Sequence, residues 1–236
     1  MTSFFAAYRN ETDKILLRWK YRIFLLLGIS ICLLWAVMGI LLPNIIILPL
    51  TSMGILPLFS QVLMPLIIFM GAADLITAEG EKHTMKAMIY RPVERFKLYT
   101  AKLLAIKTYV ILYLACVFVV SAMLSLEITF ASLASYALTI MPLAVFVAFA
   151  AFIALLGRSS SLVMFLMVVI YLAMIVMPIF VPVLSELLFT SYLGWYRLWI
   201  GIQPGIFRLI HMVIIVFSYG AVFFIAGSLI FDRKAY

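Results

Sequence analysis

Long uninterrupted runs of apolar residues dominate the chain and alternate with short polar stretches. A helix needs about 20 apolar residues to cross the hydrocarbon core of a bilayer. Transmembrane β-strands would instead alternate apolar and polar positions over about ten residues. The pattern therefore predicts six membrane-spanning helices, at 23–42, 55–75, 108–126, 133–156, 162–182 and 209–230.

The composition supports a single transmembrane domain over residues 1–236. Hydrophobic residues make up 67% of the chain and charged residues 11%, whereas soluble domains have about 45–50% apolar and about 25% charged residues. A soluble fold of this size would expose large apolar patches. The fold class is therefore all-α integral membrane, with no soluble domain. Cys32 and Cys116 both lie inside apolar runs, and we expect no disulfide between them.

The distribution of basic residues predicts the orientation. The net charge is +8, and all but two of the 17 Lys and Arg residues lie before span 1, between spans 2 and 3, between spans 4 and 5, or after span 6. The exceptions are Arg197 and Arg208. Basic residues favour the cytoplasmic side of a membrane. We therefore expect a multi-pass protein of the bacterial cytoplasmic membrane with both termini in the cytoplasm, and we assign no role to nucleic acid.

The N-terminal stretch 1–22 is amphipathic. On a helix, Phe4, Tyr8, Ile15 and Trp19 fall along one side, while basic residues lie elsewhere. Such a helix can lie in the membrane plane with its cations at anionic headgroups. The stretch predicts an interfacial helix, and the alternative is an ordinary charged tail before the first span.

The connection after the second predicted span, 76–97, contains a second amphipathic segment. Glu79 and Glu81 suit the first turn of a helix, where the dipole favours negative charge, although their spacing puts them on different faces. Pro92 ends the helix. The apolar residues Met85, Met88 and Ile89 recur at i, i+3 and i+4 and form a stripe along this helix. The stripe must contact lipid, the spans or a partner protein.

The connection 183–208 forms an outer-face region rich in aromatic residues. Trp195, Tyr196 and Trp199 lie beside Arg197, a combination that suits the headgroup layer. The segment predicts a short interfacial or re-entrant helix before the last span.

The predicted spans have no Asp, Glu, Lys or Arg at their centres. Ion-coupled transporters usually carry such groups within the membrane. The chain also lacks a phosphate-binding G-x-x-x-x-G-K-[ST] loop and the H-E-x-x-H and G-x-S-x-G enzyme motifs. We expect no catalytic residue, metal or cofactor on this chain, and we expect any energy for transport to come from outside the membrane domain.

The loop after span 2 resembles that of membrane subunits of type-2 ABC exporters, a family with an N-terminal interfacial helix, six spans and cytoplasmic ends. In that family the loop carries acidic residues, then a Thr, a short helix, a Pro, an Arg and a Lys. The matching residues in this sequence are Glu79, Glu81, Thr84, Pro92, Arg95 and Lys102. One position departs from the pattern, since His83 stands where the family often has Gly.

The resemblance implies that the short helix couples the chain to a separate ABC-type ATPase, which holds ATP and Mg. The implied coupling residues are Glu79, Glu81, Thr84, Met85, Met88, Ile89, Pro92 and Arg95. Two membrane subunits would pair, as a homodimer or a heterodimer, around a path lined by spans 2 and 5. The path residues would be Gln61, Met64, Phe69, Met167, Tyr171 and Met174, each of which could instead face lipid or the core.

These observations predict the permease subunit of an ATP-driven exporter. An uncharged path suits an amphipathic or hydrophobic substrate, such as an antimicrobial peptide, a lipid or a drug. The alternatives are an ATP-independent channel or carrier, and a membrane enzyme or assembly factor, for which no set of polar catalytic groups is evident.

Overall fold

The structure is a computed structural model that describes residues 2–41, 51–81, 94–125, 129–200 and 205–233. Those residues form helices and no strands. Six of the helices are long and apolar enough to cross a membrane, and we name them spans 1 to 6: Trp19–Leu41, Ser52–Glu81, Arg95–Ser125, Phe130–Leu156, Ser160–Phe180 and Ile206–Arg233. Each overlaps one predicted run, which confirms the all-α membrane fold.

A separate helix, Thr2–Leu16, precedes span 1. The chain turns at Leu17 and Arg18 before span 1 begins. This N-terminal helix packs along span 3, where the Tyr8 and Thr108 hydroxyls share a hydrogen bond of 2.6 Å. A helix is therefore present where the amphipathic pattern predicts one, and its location in the headgroup layer stays a prediction.

Spans 2 and 3 are longer than a bilayer requires. They contain 30 and 31 residues, which at 1.5 Å per residue is about 45 Å, against a hydrocarbon core of about 30 Å. The excess lies at the end of span 2 and the start of span 3. Arg95 there donates a hydrogen bond of 2.5 Å to the carbonyl of Asp232 in span 6.

The N-terminal helix and the end of span 6 therefore lie at one face of the helix bundle, which we call the basic face. Its location in the cytoplasm stays a prediction.

Spans 2 and 4 form the centre of the bundle. Most of each is buried, whereas spans 1, 5 and 6 expose most of their surface. Aromatic rings join the central spans, with the Phe69 and Phe146 centroids 5.4 Å apart. The exposed faces of the outer spans are rich in large apolar side chains. Such faces suit lipid or another membrane helix.

Span 2 contains two π-helical turns, Phe59–Leu63 and Ala73–Thr77. A π-helical turn shifts the faces of a helix and is frequent at functional sites. Pro57 and Pro65 lie on either side of the first turn, and proline removes a backbone donor from the helix. The first turn contains Gln61, and the second contains Asp74.

The outer-face region is helical and folds back between the spans. It contains Leu184–Leu187, a 3-10 helix at Phe189–Gly194, and Tyr196–Ile200. The Phe189 ring packs against Phe146 at 5.5 Å, and Phe146 lies about 24 Å along span 4 from its first residue. The segment therefore re-enters the bundle to a considerable depth.

This re-entry places two of the aromatic residues differently from our expectation. Trp195 and Tyr196 are 4% and 1% exposed, so they lie inside the protein rather than facing headgroups. The Trp195 indole donates a hydrogen bond of 2.6 Å to the Leu138 carbonyl of span 4. This bond satisfies the indole N–H away from water.

Candidate functional site

A pocket lies between the first π-helical turn of span 2, span 5 and the outer-face region. Its volume is about 210 Å³. Tyr171 of span 5 donates a hydrogen bond to the Gln61 carbonyl. This bond supplies a side-chain donor at the π-helical turn, where the regular α-helical hydrogen bonds of span 2 are interrupted. The pocket is lined by Gln61, Tyr171, Met174, Ile175, Pro178, Thr190 and Ser191.

The pocket lies near the middle of the bundle. Gln61 is about 14 Å along span 2 from Ser52, and Tyr171 is about 17 Å along span 5 from Ser160, which begins at the basic face. Both positions fall well inside a hydrocarbon core of about 30 Å. The polar groups of the lining are hydroxyls and one carboxamide, and no lining residue is charged. This lining can form neutral hydrogen bonds to a ligand that also has apolar surface.

The structure brings together half of the predicted path residues. Gln61, Tyr171 and Met174 all line the pocket. In contrast, the other three predicted path residues are fully buried inside the subunit: Met64, Phe69 and Met167. A role for these three in the path stays a prediction.

Two lining residues, Thr190 and Ser191, are absent from the sequence-based predictions. They belong to the outer-face region, and they reach the pocket because that region folds back between the spans. Hydropathy does not decide between the interfacial and re-entrant alternatives for this segment, because a short turn at membrane depth has the same composition as an interfacial one.

A second feature, at the basic face, is a largely buried group of charged side chains, which we call the ion network: Glu11, Lys14, Glu79 and Lys102. Lys102 is 0% exposed, and its ammonium donates to Glu11 Oε2 at 3.0 Å, Glu79 Oε2 at 2.5 Å and the Leu75 carbonyl at 2.8 Å. Lys14 Nζ donates to the second oxygen of each carboxylate, at 2.7 Å in both cases.

Among the described residues, the ion network contains two carboxylates and two ammonium groups. Burying a charge costs several kcal/mol unless it is paired and hydrogen-bonded. Both oxygens of Glu11 and of Glu79 accept hydrogen bonds from these lysines. The network joins the N-terminal helix to the ends of spans 2 and 3, and those ends extend beyond the length that a bilayer requires.

A second group of polar residues lies around Asp74 and fixes the turn between the N-terminal helix and span 1. The Asp74 carboxylate accepts a hydrogen bond of 2.9 Å from Tyr21 and forms an ion pair with Arg18 at 3.3 Å. Lys20 pairs with the same oxygen. In turn, Tyr109 of span 3 donates a hydrogen bond of 2.7 Å to the Tyr21 carbonyl.

The predicted coupling residues Glu79, Glu81 and Arg95 lie at the basic face, with their side chains in different surroundings. Glu79 is part of the ion network, whereas Glu81 is exposed and accepts a hydrogen bond of 3.1 Å from the Ser160 amide. Both lie in the last described turn of span 2, and the coupling helix predicted in the loop after it stays a prediction.

Outside the described residues lie Thr84, Met85, Met88, Ile89 and Pro92, and contact of any of the eight residues with an ATPase stays a prediction.

Within the ranges that the structure describes, no group of three or more His, Cys, Asp and Glu side chains could hold a metal ion. Cys32 and Cys116 are both free thiols.

Six apolar helices define a multi-pass membrane protein, with an uncharged pocket between spans 2 and 5. Comparison with known families shows which one matches the chain. Residues 4–234 match the family described as ABC-2 family transporter protein, and the chain therefore belongs to the ABC-2 transporter family. The match confirms the resemblance to type-2 ABC permeases and identifies the chain as a transporter membrane subunit. No curated protein matches the chain.

Proposed function

We propose that this chain is the permease subunit of an ATP-driven exporter. It works with a separate ABC-type ATPase, which binds ATP and Mg, and with a second membrane subunit, identical or related. It lies in the bacterial cytoplasmic membrane with its basic face in the cytoplasm. The substrate is amphipathic or hydrophobic, and an antimicrobial peptide, a lipid or a drug fits that description.

The observation that carries this proposal is the pocket of Gln61, Tyr171, Thr190 and Ser191. A charged substrate group at this depth would need an opposite charge, because an unpaired ion in the membrane is costly. The pocket instead presents neutral hydrogen-bonding groups beside Met174 and other apolar side chains. This combination is typical of sites for ligands with a large apolar surface and few polar groups.

The exposed faces of spans 1 and 5 support pairing with a second membrane subunit. Large apolar side chains on these faces include Leu34, Met38, Leu172 and Ile175. Ile175 also lines the pocket, so the pocket opens toward a face that a second subunit could cover. A path between two subunits would then contain both pockets.

The test is purification of the tagged chain from native membranes, followed by ATPase assays in nanodiscs. We expect an ABC-type ATPase in the complex, with hydrolysis stimulated by at least one of three uncharged probes: a net-neutral amphipathic peptide, a fluorescent diacylglycerol or Nile red. Gln61→Leu should reduce the stimulation because it removes the amide from the pocket. Val62→Leu is the matched control, since Val62 is the exposed apolar neighbour.

Repeated absence of an ATPase from the purified complex would contradict the proposal. Flux of a probe through liposomes that contain this chain alone would favour the ATP-independent channel or carrier. Equal stimulation of the Gln61→Leu and Val62→Leu complexes would leave the ATPase partnership standing and exclude this pocket as the substrate site.

A further inference from the structure

The first turn of span 5 takes its hydrogen-bond acceptor from another span. The first four amides of any helix lack partners within the helix, and the residue at the N-cap often supplies an acceptor. Here the N-cap residue, Ser159, makes no side-chain capping bond. Glu81 at the end of span 2 accepts from the Ser160 amide instead, at 3.1 Å. Its negative charge also suits the positive end of the helix dipole.

Span 5 is attached to span 2 by two further polar contacts. The Ser160 hydroxyl lies 3.4 Å from the Ala73 carbonyl, to which it donates. About 17 Å further along span 5, Tyr171 donates to the Gln61 carbonyl in the first π-helical turn. The contacts at Ser160 and at Tyr171 thus link the basic face to the pocket along one helix.

Few apolar contacts hold span 5 in place. Its only buried side chains are Val163, Met167 and Tyr171, which follow one another at the i, i+4 spacing of a single stripe. Beside this stripe, Met164, Val168, Ile170 and Met174 are partly buried against the core. The position of span 5 therefore depends on this stripe, on its partly buried flanks and on the polar contacts to span 2.

Glu79 and Glu81 differ in their surroundings although only one residue separates them. Glu79 is buried and receives hydrogen bonds from Lys14 and Lys102, which join it to the N-terminal helix and span 3. Glu81 is exposed, and its partner is a backbone amide of span 5. One carboxylate thus joins span 2 to the N-terminal helix and span 3, and the other joins span 2 to span 5.

From this arrangement we infer that Glu81 is a positioning residue that transmits displacement of the end of span 2 to span 5. Movement of span 5 then carries Tyr171 and changes the pocket. The inference rests on the proposed function, because the ATPase supplies the displacement. No contact between Glu81 and substrate is involved.

The first experiment measures hydrogen exchange of the Ser160 amide in the chain alone, in nanodiscs. Glu81→Ala should speed exchange about tenfold, within the range for a lost helix cap. Glu81→Gln keeps an oxygen acceptor and should restore most of the protection. Glu94→Ala is the control, because it removes an equal charge from an exposed pair with Lys97 at the same face. Equal exchange in the Glu81→Ala and Glu94→Ala variants would overturn the inference.

The second experiment uses the complex with its ATPase and compares exchange before and after trapping with ATP and vanadate. In the wild type and in Glu94→Ala, trapping should change exchange at the end of span 2 and in the first turn of span 5. In Glu81→Ala, the change in span 5 should fall at least threefold while that in span 2 persists. An undiminished response of span 5 overturns the inference but not the exporter function, whereas absence of an ATPase overturns both.

Discussion

Replacement of Lys102 by Met tests whether the ion network fixes the N-terminal helix to spans 2 and 3. The Lys102 ammonium is fully buried and has three hydrogen-bond acceptors: Glu11, Glu79 and the Leu75 carbonyl. Methionine preserves most of the side-chain volume but leaves two carboxylates with Lys14 as their remaining cation. Removing one partner of a buried ion pair costs about 3–5 kcal/mol. We expect a loss of about 3 kcal/mol, because Lys14 still contacts both carboxylates.

The assay is the free energy of unfolding in mixed micelles, measured by titration with a denaturing detergent. Lys97→Met is the matched control, since Lys97 pairs with Glu94 and both side chains are largely solvated. Exposed ion pairs contribute about 0–1 kcal/mol. The difference between the two variants should therefore be about 2 kcal/mol or more.

A second substitution separates charge imbalance from a general packing defect. Glu79→Gln in the Lys102→Met background leaves Glu11 and Lys14 as a balanced pair at 2.7 Å. We expect it to recover at least half of the lost stability, because removing both partners avoids an uncompensated charge. A Lys102→Met variant as stable as Lys97→Met would refute the reasoning, and so would a further loss in the double variant.

Two further substitutions test close packing and helix capping in the same unfolding assay. Gly28→Ala should cost about 1–3 kcal/mol, because a Cβ would lie 2.3 Å from the Tyr113 hydroxyl. Tyr113→Phe should relieve only part of that cost, because the ring carbon Cζ would still lie 2.7 Å from the Cβ. Gly205→Ala, with no atom within 4 Å of its Cβ, is the control. Thr129→Ala should cost about 1 kcal/mol, since Thr129 and Ser132 form a capping box at span 4. Thr129→Ser should retain the capping bond and most of the stability, and equal losses for Thr129→Ala and Thr129→Ser would contradict the capping role.

The sequence predicts the spans because the bilayer acts on each one separately. Every span must hide its backbone in a helix and show apolar side chains, whatever its neighbours are. Runs of apolar residues therefore identify all six spans that the structure has among its described residues. The extra turns of spans 2 and 3 escape the prediction because charged residues such as Glu79 and Lys102 interrupt the apolar pattern there, and the partners of these two charges are distant in sequence.

The pairings of those charges depend on the tertiary structure alone. Glu11 and Lys102 are far apart in sequence, and neither has a local pattern that names the other as a partner. The i, i+2 spacing of Glu79 and Glu81 does predict that they face different ways. Only the packing of spans 3 and 5 brings Glu79 to Lys102 and Glu81 to the Ser160 amide.

The residues of the pocket are likewise predicted in part from the sequence and decided in part by the fold. Gln61, Tyr171 and Met174 are candidates through the family resemblance, but the fold decides that they meet and that Met64, Phe69 and Met167 pack in the core. The sequence by itself determined how many times the chain crosses the membrane, because crossing is a requirement on each helix alone. The tertiary structure decided which polar groups are buried together, because burial of a polar group is stable only where another part of the chain supplies its partner.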